Sequence, residues 1–238
     1  MITKGMGRSM TESFLQRTRL LIGDEGLNKL QNSWVAVIGL GGVGSFAAEG
    51  LVRSGVGRIT LVDHDTIAMS NINRQLPALH STLGRYKAEV MAERVLDINP
   101  SIKINFFTFS YSEETYTQIL NNNLDYVVDA IDSFSAKVHI IKSCLERKIP
   151  IISCMGAGNR LNPYGFKIDT LNNTTNCPLA RKLRRELRKD NLTDQLTVLY
   201  SSEVPVSAGN GQLGSIPYVT GVAGLLLAGY VVSQILDK

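Results

Sequence analysis

Residues 34–51 read WVAVIGLGGVGSFAAEGL. The apolar run from Trp34 to Ile38 lacks a polar face, as expected of a strand covered on both sides. Gly39, Gly41 and Gly44 form G-x-G-x-x-G after it, with Gly42 between them, and the chain continues with helix formers. Each glycine has a physical reason: a tight turn, a backbone that can approach phosphate, and close packing of helix on strand. The helix start adds amide donors and the positive end of its dipole. About 20 residues further on, Asp63 closes a second apolar run, where its carboxylate can bond ribose hydroxyls.

The turn alone would favour NAD, the commoner ligand of this fingerprint, and the residues downstream of Asp63 change that reading. In DHDTIAMSNINRQ (63–75), Asp65, Asn71, Arg74 and Gln75 stand just beyond the ribose position, and Lys87 opens the next helix. A dinucleotide's pyrophosphate needs little beyond backbone amides. A triphosphate attacked at its α-phosphate needs cations around the developing charge. The run VVDAIDS (127–133) then places Asp129 and Asp132 at a strand end, where a carboxylate can hold Mg²⁺ on the phosphates.

Working outward, expected strands fall at 35–38, 59–62, 102–109, 126–129 and 149–153, with helices at 20–30, 44–53, 87–97, 113–120 and 135–146. Such alternation predicts an α/β fold: a Rossmann-like, mostly parallel sheet with helices on both faces, plus a C-terminal extension. Segment 1–33 reads as an N-terminal helical region and 34–155 as the nucleotide-binding core. Residues 156–238 form a crossover region, with one more strand near 166–168, a basic helix at 178–189 and an apolar helix at the end. In the basic helix Leu179, Leu183 and Leu187 make one apolar stripe, which leaves the cations on the other faces.

The chain's 238 residues are 44% hydrophobic and 19% charged, which fits a packed domain and excludes a disordered one. Three cysteines with no C-x-x-C pair suggest neither a disulfide framework nor a zinc knuckle, and no secretory signal is evident; a reducing cytoplasm is expected. Of the net charge of +4, RKLRRELRK (181–189) alone contributes six cations and one acid, so any polyanion-binding surface is local. Residues 204–236 carry no charge, and 218–236 could just span a bilayer. Embedded Thr220, Ser233 and Gln234, several glycines and no basic flank favour a buried or interface helix instead. Gly224 and Ala228, four apart, would admit a close helix neighbour.

GLGGVGS, LVDHDTIAMSNINRQ, the lysine of GRYKAEVMAERVLDINP and DAIDS together resemble the adenylation domain of the ThiF, molybdopterin-adenylyltransferase and ubiquitin-activating-enzyme superfamily. The resemblance implies one adenylation domain over 1–238, ATP and Mg²⁺ as cofactors, and a homodimer. It implies ribose contacts from Asp63 and Asp65, phosphate contacts from Asn71, Arg74, Gln75 and Lys87, and a metal-holding Asp132. It also implies an N-terminal arginine that reaches the neighbouring subunit's site, here Arg19 with Arg17 as the alternative.

The zinc cysteine pairs of sulfur-carrier activators are missing. Over nearly its full length, including RTRLLIGDEGL, SNINRQLPALH and CPLARKLRRELRK, the chain is similar to the tRNA threonylcarbamoyladenosine dehydratases. That family implies ATP-dependent cyclisation of a modified adenosine in tRNA through an acyl-adenylate. Arg181, Lys182, Arg184, Arg185, Arg188 and Lys189 are then expected to contact tRNA phosphates. A cysteine desulfurase system is an admissible partner, and neither DNA nor a membrane is expected. Cys177 is weighed for a covalent role and read as structural, and CMGAGNR (154–160) is either a substrate contact or a plain turn. The alternatives are an adenylyltransferase for the C-terminal carboxylate of a small carrier protein, and a nonenzymatic nucleotide-binding or membrane-associated regulator anchored by the uncharged C-terminal segment.

Overall fold

In the computed structural model, which describes residues 13–206 and 213–237, seven strands form one sheet. They are β1 (Trp34–Ile38), β2 (Arg58–Val62), β3 (Lys103–Phe107), β4 (Tyr126–Asp129), β5 (Ile151–Cys154), β6 (Phe166–Thr170) and β7 (Thr197–Ser201). The order is β3-β2-β1-β4-β5-β7-β6, parallel except for β6 against β7. The chain runs to one side of β1 through β2 and β3, then returns to its other side at β4. The carboxyl ends of β1 and β4 therefore flank the crevice where ligands of such sheets bind.

The strictly apolar sequence of β1 reflects its place at the centre. All five residues are buried: Val35 and Val37 belong to one core, and Trp34, Ala36 and Ile38 to the other. The first core is covered by α1 (Gln16–Asn32, broken at Gly23), α2 (Gly44–Ser54), α3 (Lys87–Ile98) and α7 (Pro217–Leu236), which contribute Leu30, Leu51, Met91 and Leu227. The second is covered by α4 (Tyr116–Ile119), α5 (Phe134–Glu146) and α6 (Pro178–Leu187), through Ile119, Ile140, Leu183 and Leu187.

The expected elements are present, with two main differences. The helix expected at 113–120 shortens to the single turn α4. Strand β7, which the sequence pattern does not predict, lies between β5 and β6 and makes the antiparallel edge possible. Its sequence, TVLYS, is too short to declare a period, and its partners lie far away in the chain. The apolar C-terminal segment is α7, whose Ala223, Leu227, Ala228, Val231 and Ile235 enter the first core. A Cβ on Gly224 would stand 2.3 Å from the carbonyl oxygen of Val43. This close approach of α7 to α2 is the helix contact anticipated from Gly224 and Ala228. The first twelve residues of the N-terminal segment lie outside the described residues, as do 207–212.

Candidate active site

The glycine turn joins β1 to α2 in the geometry its spacing requires. Gly39 has φ +87°, and a Cβ on Gly44 would lie 1.7 Å from the Gly39 carbonyl oxygen. Larger residues are excluded at both positions. Helix α2 begins with no side-chain cap and no acidic residue in its first turn. The Ser45 N–H donates back to the Gly41 carbonyl at 3.1 Å, and the uncapped, acid-free start of the helix leaves its positive end open to phosphate oxygens.

Asp63, at the end of β2, holds this turn. One carboxylate oxygen accepts from the Leu40 N–H at 2.7 Å, the other from the Asp65 N–H at 2.9 Å. Asp65 receives a 2.6 Å ion pair from the buried Lys87. Burial pushes the Asp65 carboxyl up, but the hydrogen bond and charge of Lys87, helped by His64, outweigh it and hold the group below the usual carboxylate range. The ligand atoms of Asp63, His64 and Asp65 lie within 4.8 Å of one another, yet Asp63 and Asp65 are already engaged as described.

Asn71 caps the Ala68 N–H through Oδ1, and Arg74 donates to the Ser70 carbonyl at 2.9 Å and to Asn73 at 3.0 Å. Gln75 is buried with its Oε1 unpartnered, and its Nε2 is the group nearest Gly41. The Nε2 can donate to a phosphate oxygen, whereas the Oε1 needs an N–H or O–H donor.

Gly41, Gly42, Asp63, Asp65, Asn71, Arg74, Gln75, Lys87 and Asp132 all line one cleft of about 800 Å³, a volume suited to a nucleotide with part of a second substrate. Gly44 lies beneath the turn rather than on the cleft wall. Arg19 does not line the cleft either; it is exposed on α1 and pairs with Asp24 at 2.5 Å. Asp129 cannot serve a metal as its sequence position suggested. It is fully buried, accepting from Lys137 at 2.7 Å and from Ser153 at 2.5 Å. Asp132, three residues on, is exposed at the cleft wall.

The cleft extends past the end of β5, along 154–160 and the start of α6. Cys177 is buried there and its Sγ accepts the Ala180 N–H at 3.5 Å, a capping contact consistent with the structural reading. Burial pushes the Cys154 and Cys144 thiols up to about 12, which keeps them protonated and unreactive.

The basic helix divides. Arg181, Arg185 and Arg188 are exposed, Lys189 pairs with Glu186, and Lys182 sits 3.9 Å over the Phe134 ring. Arg184 departs from the expected phosphate role: it turns inward and donates to the Thr174 carbonyl at 3.0 Å and hydroxyl at 2.9 Å. Sequence reasoning also missed Phe109–Tyr111 and Thr220 on the cleft wall. They arrive from the end of β3 and from α7, and no local pattern marks them. The stretch 154–160 is more than a plain turn in position, since its Arg160 lines the cleft.

The ThiF family pattern matches residues 15–238. The chain belongs to the ThiF family. Among similar proteins, the tRNA threonylcarbamoyladenosine dehydratase of Bacillus subtilis is 44% identical over 92% of this chain and 93% of its own length. The crystal structure of Escherichia coli tRNA N6-threonylcarbamoyladenosine dehydratase in complex with AMP superimposes with a TM-score of 0.90 at 33% identity, covering 98% of both chains. The same enzyme in complex with ATP gives 0.87, with 96% and 97% covered. This ThiF-family member thus shares its fold, over nearly its whole length, with an enzyme crystallised in complex with AMP and in complex with ATP.

Proposed function

We infer that the protein is an ATP-dependent tRNA threonylcarbamoyladenosine dehydratase. The observation that carries the reading is the cleft itself: a glycine turn and uncapped helix, buried Lys87, Arg74 and the Gln75 amide stand at the carboxyl ends of β1, β2 and β4. Near-full-length likeness to dehydratases selects the carboxylate that accepts the adenylyl group.

The free carboxylate of the threonylcarbamoyl group attacks the α-phosphate of ATP, and the bond to pyrophosphate breaks. A nitrogen of the same substituent then attacks the activated carbonyl, loses its proton, and AMP departs as the ring closes. The net change in the nucleoside is loss of one water. AMP is a far better leaving group than hydroxide, and ring closure gains from intramolecular effective concentration. Asp63 positions the ribose and Asn71 and Gln75 the phosphates, while Arg74 and Lys87 balance charge that builds on the phosphoryl oxygens. Asp132, with no ion-pair partner among the described residues, fits a metal and would hold Mg²⁺. That ion, when bound, neutralises phosphate charge.

The proposed enzyme is a cytoplasmic homodimer in which Arg19 serves the neighbouring site. Support comes from Arg19 standing outside its own cleft, and from Leu20, Leu21 and Leu225, exposed on α1 and α7. Arg181, Arg185 and Arg188 are the proposed tRNA phosphate contacts, and a cysteine desulfurase system is an admissible partner.

The deciding experiment tracks AMP and pyrophosphate from Mg²⁺-ATP with tRNA carrying or lacking threonylcarbamoyladenosine. Release with the modified tRNA alone, and a nucleoside lighter by one water, is expected; Lys87→Ala or Arg74→Ala should lower kcat/KM about 100-fold or more. Release driven by a carrier-protein tail and by neither tRNA would make the protein a carrier adenylyltransferase.

A further inference from the structure

The strongest unexplained group is Arg160. It is only 3% exposed, it lines the cleft, and its Nε and Nη1 have no hydrogen-bond partner. Its Nη2 donates to the Asn176 carbonyl at 3.1 Å, which aims the guanidinium without neutralising it. Glu203, the acid that touches this loop, accepts instead from the N–H groups of Leu161 at 3.2 Å and Asn162 at 3.0 Å. A buried cation with free donors is costly unless an anion completes it.

Which anion is decided by position. Asp63, Asp65 and Asp132 are the acids lining the cleft among the described residues, and they stand at the ends of β2 and β4. The triphosphate is already served there by the glycine turn, Arg74 and Lys87. Arg160 comes after β5, on a loop fastened by Asn159, which accepts the Gly214 N–H at 2.6 Å through Oδ1 and donates its own N–H to the Gly214 carbonyl at 2.8 Å. Its neighbours on the wall, Met155, Ala157, Cys177 and Leu179, carry no charge and would dry a ligand there. The anion still without a receptor in the reaction is the one that must approach the α-phosphate from outside.

We propose that Arg160 is the receptor for the acyl substrate's carboxylate, setting it beside the α-phosphate before adenylation. The inference rests on the proposed dehydratase reading. A guanidinium that grips one carboxylate oxygen leaves the other to attack. Once the acyl-adenylate has formed, the same donors lie beside the carbonyl oxygen on which charge builds as the ring closes. A planar, permanently charged fork suits this task better than an ammonium.

The test compares wild-type protein with Arg160→Gln and Arg160→Lys. It uses modified tRNA, unmodified tRNA, and two small competitors: threonylcarbamoyladenosine nucleoside as the free acid and as its methyl ester. For wild type, turnover of modified tRNA establishes the dehydratase reading independently; its failure would remove that reading before Arg160 is at issue. The proposal expects the acid to compete about 10- to 100-fold better than the ester. It expects Arg160→Gln to erase that difference and to lower kcat/KM by a similar factor, with ATP affinity and unmodified-tRNA binding unchanged and partial recovery in Arg160→Lys. Equal competition by acid and ester in wild type overturns it, and this needs no variant to fold. An equal loss of modified and unmodified tRNA binding in Arg160→Gln also overturns it, assigning the residue to the RNA backbone.

Discussion

At the scale of single residues, the chain separates charges that hold the fold from charges that face a ligand. Asp129 and Asp132 are three apart on one motif, yet one is sealed and the other exposed. Lys137, itself fully buried, donates to Asp129 Oδ2, to the Ser153 hydroxyl at 3.3 Å and to the Cys154 carbonyl at 3.1 Å. It thereby ties α5 to the ends of β4 and β5, directly under the catalytic cleft. Removing one partner of such a pair leaves the other charge buried and unmatched, which costs far more than the pair contributes. Lys137→Met should therefore lose about 3–5 kcal/mol in urea unfolding. Lys137→Met combined with Asp129→Leu should recover much of that loss, and a double variant no more stable than the single one would show that the pair does not act as a unit. Asp65 and Lys87 form the contrasting case. Lys87 is buried and only Asp65 is half open to solvent, so under the proposed function Lys87 would turn from Asp65 to a phosphate of ATP.

At the scale of elements, α6 shows how one helix serves both purposes. Leu183, Leu187 and Ala180 seal it to the second core, and Arg184 fastens it to the turn at Thr174. Arg181, Arg185 and Arg188 remain on the outer faces. Replacing all three with Glu should raise the KM for tRNA while leaving ATP affinity intact. It should also flatten the dependence of log K on log[salt] by about 2–3, near one unit per phosphate contact removed. An unchanged slope would assign these arginines to solvent, and Arg184→Ala should instead lower stability, by about 1–2 kcal/mol. The elements that are legible in the sequence are those with strong local signals. Five apolar residues mark strand β1, glycines mark the turn, and leucines every fourth residue mark α6. Strand β7 and the inward turn of Arg184 depend on partners elsewhere in the chain, and Arg160 gains its meaning from two donors that no residue satisfies. The cleft wall at the ends of β1, β2 and β4 is thus legible in the sequence, and of the wall beyond β5 the sequence marks the stretch 154–160 but not the unsatisfied donors of Arg160.

At the scale of the whole molecule, the cleft of one chain lacks one expected cation. Arg19 is held on the outer surface of α1 by Asp24, next to Leu20 and Leu21, which are 82% and 88% exposed. Helix α1 is itself anchored to the C-terminal helix, since Lys29 donates to the Leu236 carbonyl at 2.9 Å. Leu225 and Leu226 leave further apolar surface exposed on α7. A two-fold axis that buries these surfaces would exchange equivalent patches and could deliver each Arg19 to the other cleft. Such a dimer would behave as no monomer can. Arg19→Ala and Lys87→Ala should each be nearly inactive alone. Mixing them under conditions that exchange subunits yields heterodimers in which one cleft has an intact wall and receives an intact arginine. About a quarter of wild-type activity should then return, because half the dimers are mixed and each has one complete site of two. No recovery, with subunit exchange verified by labelled chains, would mean that Arg19 acts within its own subunit or plays no part in turnover.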